Sequence, residues 1–330
     1  MPGTVSLAAL RVFFGALLAF LLLTGCSPAA QAPAEKAPAA AADQPQCGGT
    51  ARLFGLSLPA HLDALRGEST SGSRAVGGIY ERLVNNDYAD RVKWTVTGKM
   101  VPGLAERWEM SPDGKSYTFF LRKGVEFHDG EEFTAADVLF TYNRVLSEKP
   151  PVFSNLRDVV RLEAPDPYTV KITTSVASVS FLGGLADSAL GIQPKHAADK
   201  GVDFKKDAIG TGPFKLGSHN AKTQTVWIKN ENYWQKGLPY LDRVELIWPL
   251  DKSAMIAAFA SGNIDTTQVL EASDFETIRK SVPNAQVLKD RYPSSSVLYL
   301  NIEHPALRDA RVRRAMQLAV DRQDLAKLIS

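Results

Sequence analysis

At 330 residues the chain exceeds one typical domain, and two domains of roughly 100–200 residues each are expected. Hydrophobic residues at 45% and charged residues at 22% are ordinary for a folded protein and exclude general disorder. A formal net charge of +2 with scattered Lys and Arg leaves no electrostatic footprint for nucleic acid; the one tight cluster, Arg311, Arg313 and Arg314, lies off the apolar stripe of its helix and reads as a solvated face.

The chain opens with Arg11 and the 12-residue apolar run Val12 to Leu23. A bilayer span needs about 20 apolar residues, so this run reads as a secretory signal over residues 1–25. Leu23-Thr24-Gly25-Cys26 resembles the lipobox of bacterial lipoproteins: small residues suit a peptidase pocket, and the Cys26 thiol would receive a diacylglycerol. Residues 26–47 are rich in Ala and Pro and build no core, so they read as an extended tether. Of the two cysteines, lipidation of Cys26 leaves Cys47 either as a free thiol or as a partner for a cysteine outside this sequence.

Farther along, Gly72 to Gly78 has the spacing of a phosphate loop but lacks its Lys. The best-ordered text is Val101 to Leu146. Trp108 and Met110 alternate with polar neighbours as in a half-buried strand, and Ser111-Pro112-Asp113-Gly114 fits a type I turn. Tyr117, Phe119 and Leu121 then point inward on a return strand, with Phe120 outward. After a turn at His128-Asp129-Gly130, Thr134 and Asp137 form a capping box for a helix striped by Val138, Tyr142, Val145 and Leu146. Tyr168, Val170 and Ile172 predict another strand, and Phe181 to Leu190 a close-packed helix. Gly210-Thr211-Gly212-Pro213 makes a poor phosphate loop, because Pro213 removes a backbone donor. Val226 to Ile228 and Val244 to Trp248 read as paired strands, and Ala254 to Ser261 as a helix capped by Gly262. Val297 to Asn301 predicts a strand. A helix from about Asp309 carries Val312, Ala315, Met316, Ala319 and Val320 at helical spacing, and Asp321 caps another with Leu325, Leu328 and Ile329.

The run PGLAERWEMSPDGKSYTFFLRKGVEFHDGEEFTAADV resembles the signature of the family 5 bacterial extracellular solute-binding proteins, receptors of ATP-binding-cassette importers for oligopeptides, dipeptides and nickel. The resemblance extends to GTGPFKL from Gly210, NENYW from Asn230, AAFASGNID from Ala257 and YLNIEHPALRDARVRRAMQLAVDR from Tyr299. It implies an α/β fold of the two-lobed, type II periplasmic-binding-protein kind with mixed sheets. A large lobe is expected from 48–84 and 190–290, a smaller variable lobe from 85–189, and the start of a second lobe from 291–330, with the remaining C-terminal part missing. It further implies an opening strand at Leu53 and Phe54, a helix over Ile79 to Val84, and a crossing between lobes at Gly210 to Pro213. Where the family commonly has Leu-Asp-Pro after the first strand, this chain has Leu62-Asp63-Ala64.

Nothing in the sequence calls for catalysis. The five histidines are scattered without metal-ligand spacing, the acids around His128-Asp129 suit a solvated turn, and no nucleophile elbow occurs. Catalytic residues, metals and cofactors are therefore not expected. The resemblance implies a lipid-anchored receptor in the cell envelope, at the periplasmic or extracellular face of the membrane. It would act as a monomer, capturing a peptide or similar small solute by hinge closure and handing it to an ABC permease. Leu56 and Ser57 in the first loop, and Tyr292, Ser294, Ser295 and Ser296 before the last strand, are the candidate ligand contacts. A secreted envelope hydrolase and a non-functional remnant of a receptor are the alternatives.

Overall fold

The computed structural model describes residues 45–55, 58–66, 75–90, 95–248, 251–267, 272–287 and 298–324, and among these ten strands and seven α-helices are delimited. One sheet takes β1 (Thr50–Phe54), β8 (Phe214–Asn220), β9 (Gln224–Lys229) and β10 (Arg243–Ile247) in the order β1-β10-β9-β8. It is mixed: β1 runs parallel to β10, and the other pairs are antiparallel. A second, antiparallel sheet takes β4 (Ala105–Met110), β5 (Ser116–Leu121), β6 (Val159–Asp166) and β7 (Thr169–Thr174) in the order β4-β5-β7-β6. β2 (Val84–Asp90) and β3 (Thr95–Pro102) form a separate ribbon.

The second sheet follows the sequence pattern closely. The Gly114 amide donates to the Ser111 carbonyl, closing the turn between β4 and β5. Tyr117, Phe119 and Leu121 are buried, burial worth roughly 2–3 kcal/mol per side chain. Outward Phe120 is covered by the Arg107 guanidinium, 3.4 Å from its ring centroid. Trp108 is partly buried as expected, but Met110, at the end of an edge strand, is 60% exposed. α1 (Ala135–Glu148) packs against this sheet through Val138, Tyr142 and Val145. Thr134 and Asp137 form the capping box at its start, with the Thr134 amide donating to Asp137 Oδ2 at 2.9 Å.

The apolar side chains fall into two clusters. One joins the β4-β5-β7-β6 sheet, α1 and residues 181–192; the other surrounds the β1-β10-β9-β8 sheet, with Leu62, Val76, Ile79, Phe214, Trp227 and Trp248. Segments 78–84, 190–193 and 208–214 connect them, and here two expectations fail. Residues 80–83 are not helical, because their backbone is taken by other segments: the carbonyls of Gly78 and Ile79 accept from Phe214 and Gly212, and that of Glu81 accepts from Ile192. Phe181 to Leu190 is not one helix but α2 (Phe181–Leu185) followed by a short 3-10 turn over Ser188–Leu190, which Asp187 starts by accepting from the Ala189 amide.

α3 (Lys195–Asp199) follows the second of these connections. Beyond β10, α4 (Lys252–Ala260) is capped by Asp251 and ends at Gly262, whose φ is +74°. The chain then returns to the first sheet's outer strand, where the Arg52 amide donates to Asp265 Oδ2 at 2.6 Å and the Asp265 amide donates to the Arg52 carbonyl at 2.8 Å. α5 (Ala272–Ser281) packs by α4, with Lys252 Nζ 2.9 Å from Asp274. Of the expected strand Val297 lies outside the described residues; residues 298–301 are not a strand, since among the described residues no ladder partner flanks them, and Tyr299 is 89% exposed. α6 (Pro305–Arg308) and α7 (Ala310–Leu318) follow, Asp309 capping α7. Val312 and Met316 share a face of α7 that is exposed to solvent, whereas Val320, expected on the same stripe, lies beyond the end of that helix. No helix among the described residues is long and apolar enough to cross a membrane.

Candidate functional site

The candidate first loop leaves β1 under tight control. The Gly55 amide donates to the Ile247 carbonyl at 2.9 Å, extending the ladder one residue beyond β1. A Cβ at position 55 would lie 2.0 Å from the Trp248 ring, so only glycine lets the backbone pass there. Trp248 is itself fixed: its amide donates to the Thr223 carbonyl, and its indole N–H donates to Thr225 Oγ1 at 3.1 Å. Thr225 Oγ1 also lies 2.7 Å from His219 Nδ1, and burial lowers the pKa of that imidazole, favouring the neutral ring that accepts the hydroxyl proton.

The loop's return is held by charge. Asp63, its side chain 1% exposed, accepts from the Leu65 amide at 3.2 Å and Gln193 Nε2 at 2.9 Å through Oδ1, and from Arg144 Nη2 at 3.0 Å through Oδ2. Arg144 Nη1 donates to Gln193 Oε1 at 2.5 Å, and Arg144 Nε to Glu148 Oε1 at 2.9 Å. Arg66 Nη2 reaches the same Glu148 at 2.6 Å. A proline is therefore unnecessary here, since the aspartate shapes its own turn by accepting from the amide two residues on and ties it to α1 and residue 193.

A third polar group welds the connecting segments. Glu81 accepts from Tyr233 OH at 2.8 Å through Oε1, and from Trp234 Nε1 at 2.8 Å and Thr211 Oγ1 at 2.9 Å through Oε2. Burial raises its pKa, opposed by the donors from Trp234, Tyr233 and Thr211. Beside it, His128 Nε2 lies 3.1 Å from the Gly212 carbonyl, and His128 Nδ1 accepts from the Gly210 amide at 3.3 Å. Only a neutral ring protonated at Nε2 makes both bonds, and burial pushes its pKa from 6.5 down to about 4. A Cβ on Gly212 would lie 2.5 Å from the Gly78 carbonyl, so the crossing at Gly210–Pro213 is a backbone-to-backbone contact, unlike a phosphate cradle.

The hydrogen-bonding capacity of Glu81, His128 and Asp63 is thus used internally, and these groups serve as positioning residues. The acids after His128 are likewise engaged: Asp129 Oδ2 is 2.8 Å from His196 Nε2, and Glu132 Oε1 accepts from Tyr168 OH at 2.7 Å. Among the described residues no group of three His, Cys, Asp or Glu could hold a metal ion. Cys47 stands in a disulfide, so it is not a free thiol. The candidate contacts Leu56, Ser57, Tyr292, Ser294, Ser295 and Ser296, together with Cys26, lie outside the described residues. What the structure adds is the two flanks of residues 56–57, fixed at Gly55 and at Asp63. Asp63 and Glu81 were missed as anchors, although each is an acid set among apolar neighbours, Leu62-Asp63-Ala64 and Tyr80-Glu81, which is the signal that marks them.

Residues 99–330 match the family described as bacterial extracellular solute-binding proteins, family 5 Middle. Di/tripeptide-binding protein 1 of Pseudomonas aeruginosa is 30% identical over 250 residues, covering 68% of this chain and 46% of that protein. The periplasmic binding protein DppA of Helicobacter pylori, solved in complex with the peptide STSA, superposes with a TM-score of 0.72 at 27% identity, covering 88% of this chain and 60% of that one. NikZ of Campylobacter jejuni, solved in complex with Ni(L-His), gives 0.71 at 25% identity, covering 84% and 54%. The chain spans about half the length of the curated relatives it matches. Their type II periplasmic-binding-protein fold is the one seen here, and by its sequence and its two sheets the chain belongs to the family 5 bacterial extracellular solute-binding proteins.

Proposed function

We propose that the chain is the receptor component of an ABC importer, taking a peptide or similarly small solute in the cell envelope and presenting it to a permease. The observation that carries this reading is the doubly pinned first loop. Gly55 against Trp248 sets where it leaves the sheet, and the Asp63–Arg144–Gln193 group sets where it returns. Fixed flanks on both sides leave the segment between them less freedom to lose, which lowers the ordering cost of binding an extended peptide. Relatives that bind di- and tripeptides or the peptide STSA make peptides the leading class.

In this reading the large lobe comprises 48–84 and 190–290, the smaller lobe 85–189, and 291–330 opens the second lobe. Leu56, Ser57, Tyr292 and Ser294 to Ser296 contact the ligand. Closure is a population shift, since a ligand touching both walls favours the shut form. The leader and the Ala/Pro-rich segment support an anchor at Cys26 on the outer face of the membrane, with the receptor acting as a monomer and as a binder, without turnover. Calorimetric titration of the purified chain with a panel of di-, tri- and tetrapeptides is the test. Saturable heat that Ser57→Trp abolishes is expected, with the peptide recovered intact. A folded protein that gives no heat across the panel, or that cleaves the peptides, overturns the proposal.

A further inference from the structure

A cavity of about 580 Å³ lies between the β4–β5 side of the second sheet and residues 231–238. Its lining carries Arg122, Lys123 and Lys236, and also Glu106, Glu126 and Glu231, with Trp234 in its wall. Arg122 is held rigidly. Its Nε donates to the Gly103 carbonyl at 2.7 Å, and its guanidinium stacks 4.6 Å from the Trp234 ring centroid. Trp234 is fixed in turn by its indole N–H on the buried Glu81. One fixed cation therefore faces the cavity from a built wall.

The charges around this cavity do not satisfy one another. Among the described residues neither Arg122, Lys123 nor Lys236 ion-pairs with Glu106, Glu126 or Glu231, although all six line the same space, and Glu231 pairs instead with Lys229, 3.8 Å away. Positive and negative groups that share a concavity beyond pairing distance complement a ligand carrying both signs. An anion alone would gain from Arg122 and lose to the carboxylates, and a cation alone would do the reverse. The volume is in the range of small-molecule sites and the lining is mainly polar, which suits a small polar molecule.

The cavity is separate from the first loop. Residues 231–238 lie between the end of β9 and the start of β10, whereas the loop leaves at the opposite end of the same sheet, where Phe54 pairs with Ile247. The intervening strand is roughly 13 Å long. We propose that this cavity is an accessory site for a small zwitterion of free amino-acid type, its carboxylate on Arg122 with Lys236 and its ammonium on Glu106.

Titration calorimetry with L-leucine, L-leucinamide and 4-methylpentanoate tests the assignment, because the last two each keep one charge. Leucine should bind saturably with a Kd on the order of millimolar or tighter, and each half-charged analogue at least about tenfold more weakly. Arg122→Gln and Glu106→Gln should each weaken leucine about tenfold. Glu106 is exposed, so its variant keeps the test valid where loss of the Arg122 stacking disturbs folding. Folded protein that shows no saturable leucine binding overturns the proposal, as does undiminished binding by both variants. Loss of leucine binding in Ser57→Trp would also overturn it, placing the amino acid at the first loop; loss of peptide binding alone in that variant leaves this site standing.

Discussion

The Trp248 indole fills the space that a side chain at position 55 would need, with its Cε3 2.0 Å from where the Cβ would be. Gly55→Ala is therefore expected to destabilise the fold by about 3 kcal/mol, as overpacking a fixed ring does. Trp248→Leu should recover part of that loss in the double variant. Urea denaturation of the four proteins measures the coupling, and strictly additive effects would show that the contact is not the cause.

Asp63 and Arg144 lie 3.0 Å apart with Asp63 fully enclosed, so removing either strands the other's hydrogen-bonding partners. Asp63→Ala should cost about 3 kcal/mol, nearer the lower end of the range for broken buried pairs because Arg144 keeps Glu148. Peptide binding should weaken with it, as the loop's return is freed. A double-mutant cycle in which the pair couples by less than about 0.5 kcal/mol would show that the two act independently.

The pKa of His128 is about 4 in the folded chain against 6.5 for an unburied ring. Between those values the unfolded chain binds a proton that the folded one refuses, so stability falls as pH drops from about 6.5 toward 4, by at most about 3 kcal/mol. Glu81 works in the other direction: burial raises its pKa, so the folded chain takes up its proton first and its penalty eases as pH falls. Denaturant titrations at neutral and mildly acidic pH should show the loss in the unaltered chain and a flatter profile in His128→Gln, whose amide can still donate to Gly212 and accept from Gly210. Equal acid sensitivity in both would place the effect elsewhere.

A sulfur in a thioether cannot also stand in a disulfide, and Cys26 is the only cysteine in the chain with which Cys47 could pair. Anchoring at Cys26 and a Cys26–Cys47 bond are thus mutually exclusive outcomes. In a bacterium that processes lipoproteins, the anchor reading expects detergent-phase partitioning that Cys26→Ala abolishes and Cys47→Ser leaves intact. Aqueous partitioning of the unaltered protein would retire the anchor.

The local grammar of the chain was legible wherever a residue's own backbone preference set the outcome. Ser111 and Gly114 close their turn, Thr134 and Asp137 cap their helix, and Tyr117, Phe119 and Leu121 turn inward as their alternation requires. Reading failed where distant segments claimed the backbone. Ile79 to Leu83 has the apolar content of a helix, yet its carbonyls serve Gly212, Ile192, Leu104 and Gly103, partners that no local pattern announces. The same holds for the polar anchors. Asp63 meets Arg144 and Gln193, and Glu81 meets Thr211, Tyr233 and Trp234, across separations of 81 to 153 residues.

The outer strand of the first sheet has its own exposure to manage. At Arg52 the donor and acceptor that would invite another chain are already occupied, one by the Asp265 carboxylate and the other by its amide. A side chain standing in for a neighbouring strand closes that rung without continuing the ladder, and it brings a negative charge to the place where a foreign strand would dock. Asp265→Ala should therefore shift the protein toward self-association before it alters ligand binding, so this one carboxylate helps keep the folded chains apart.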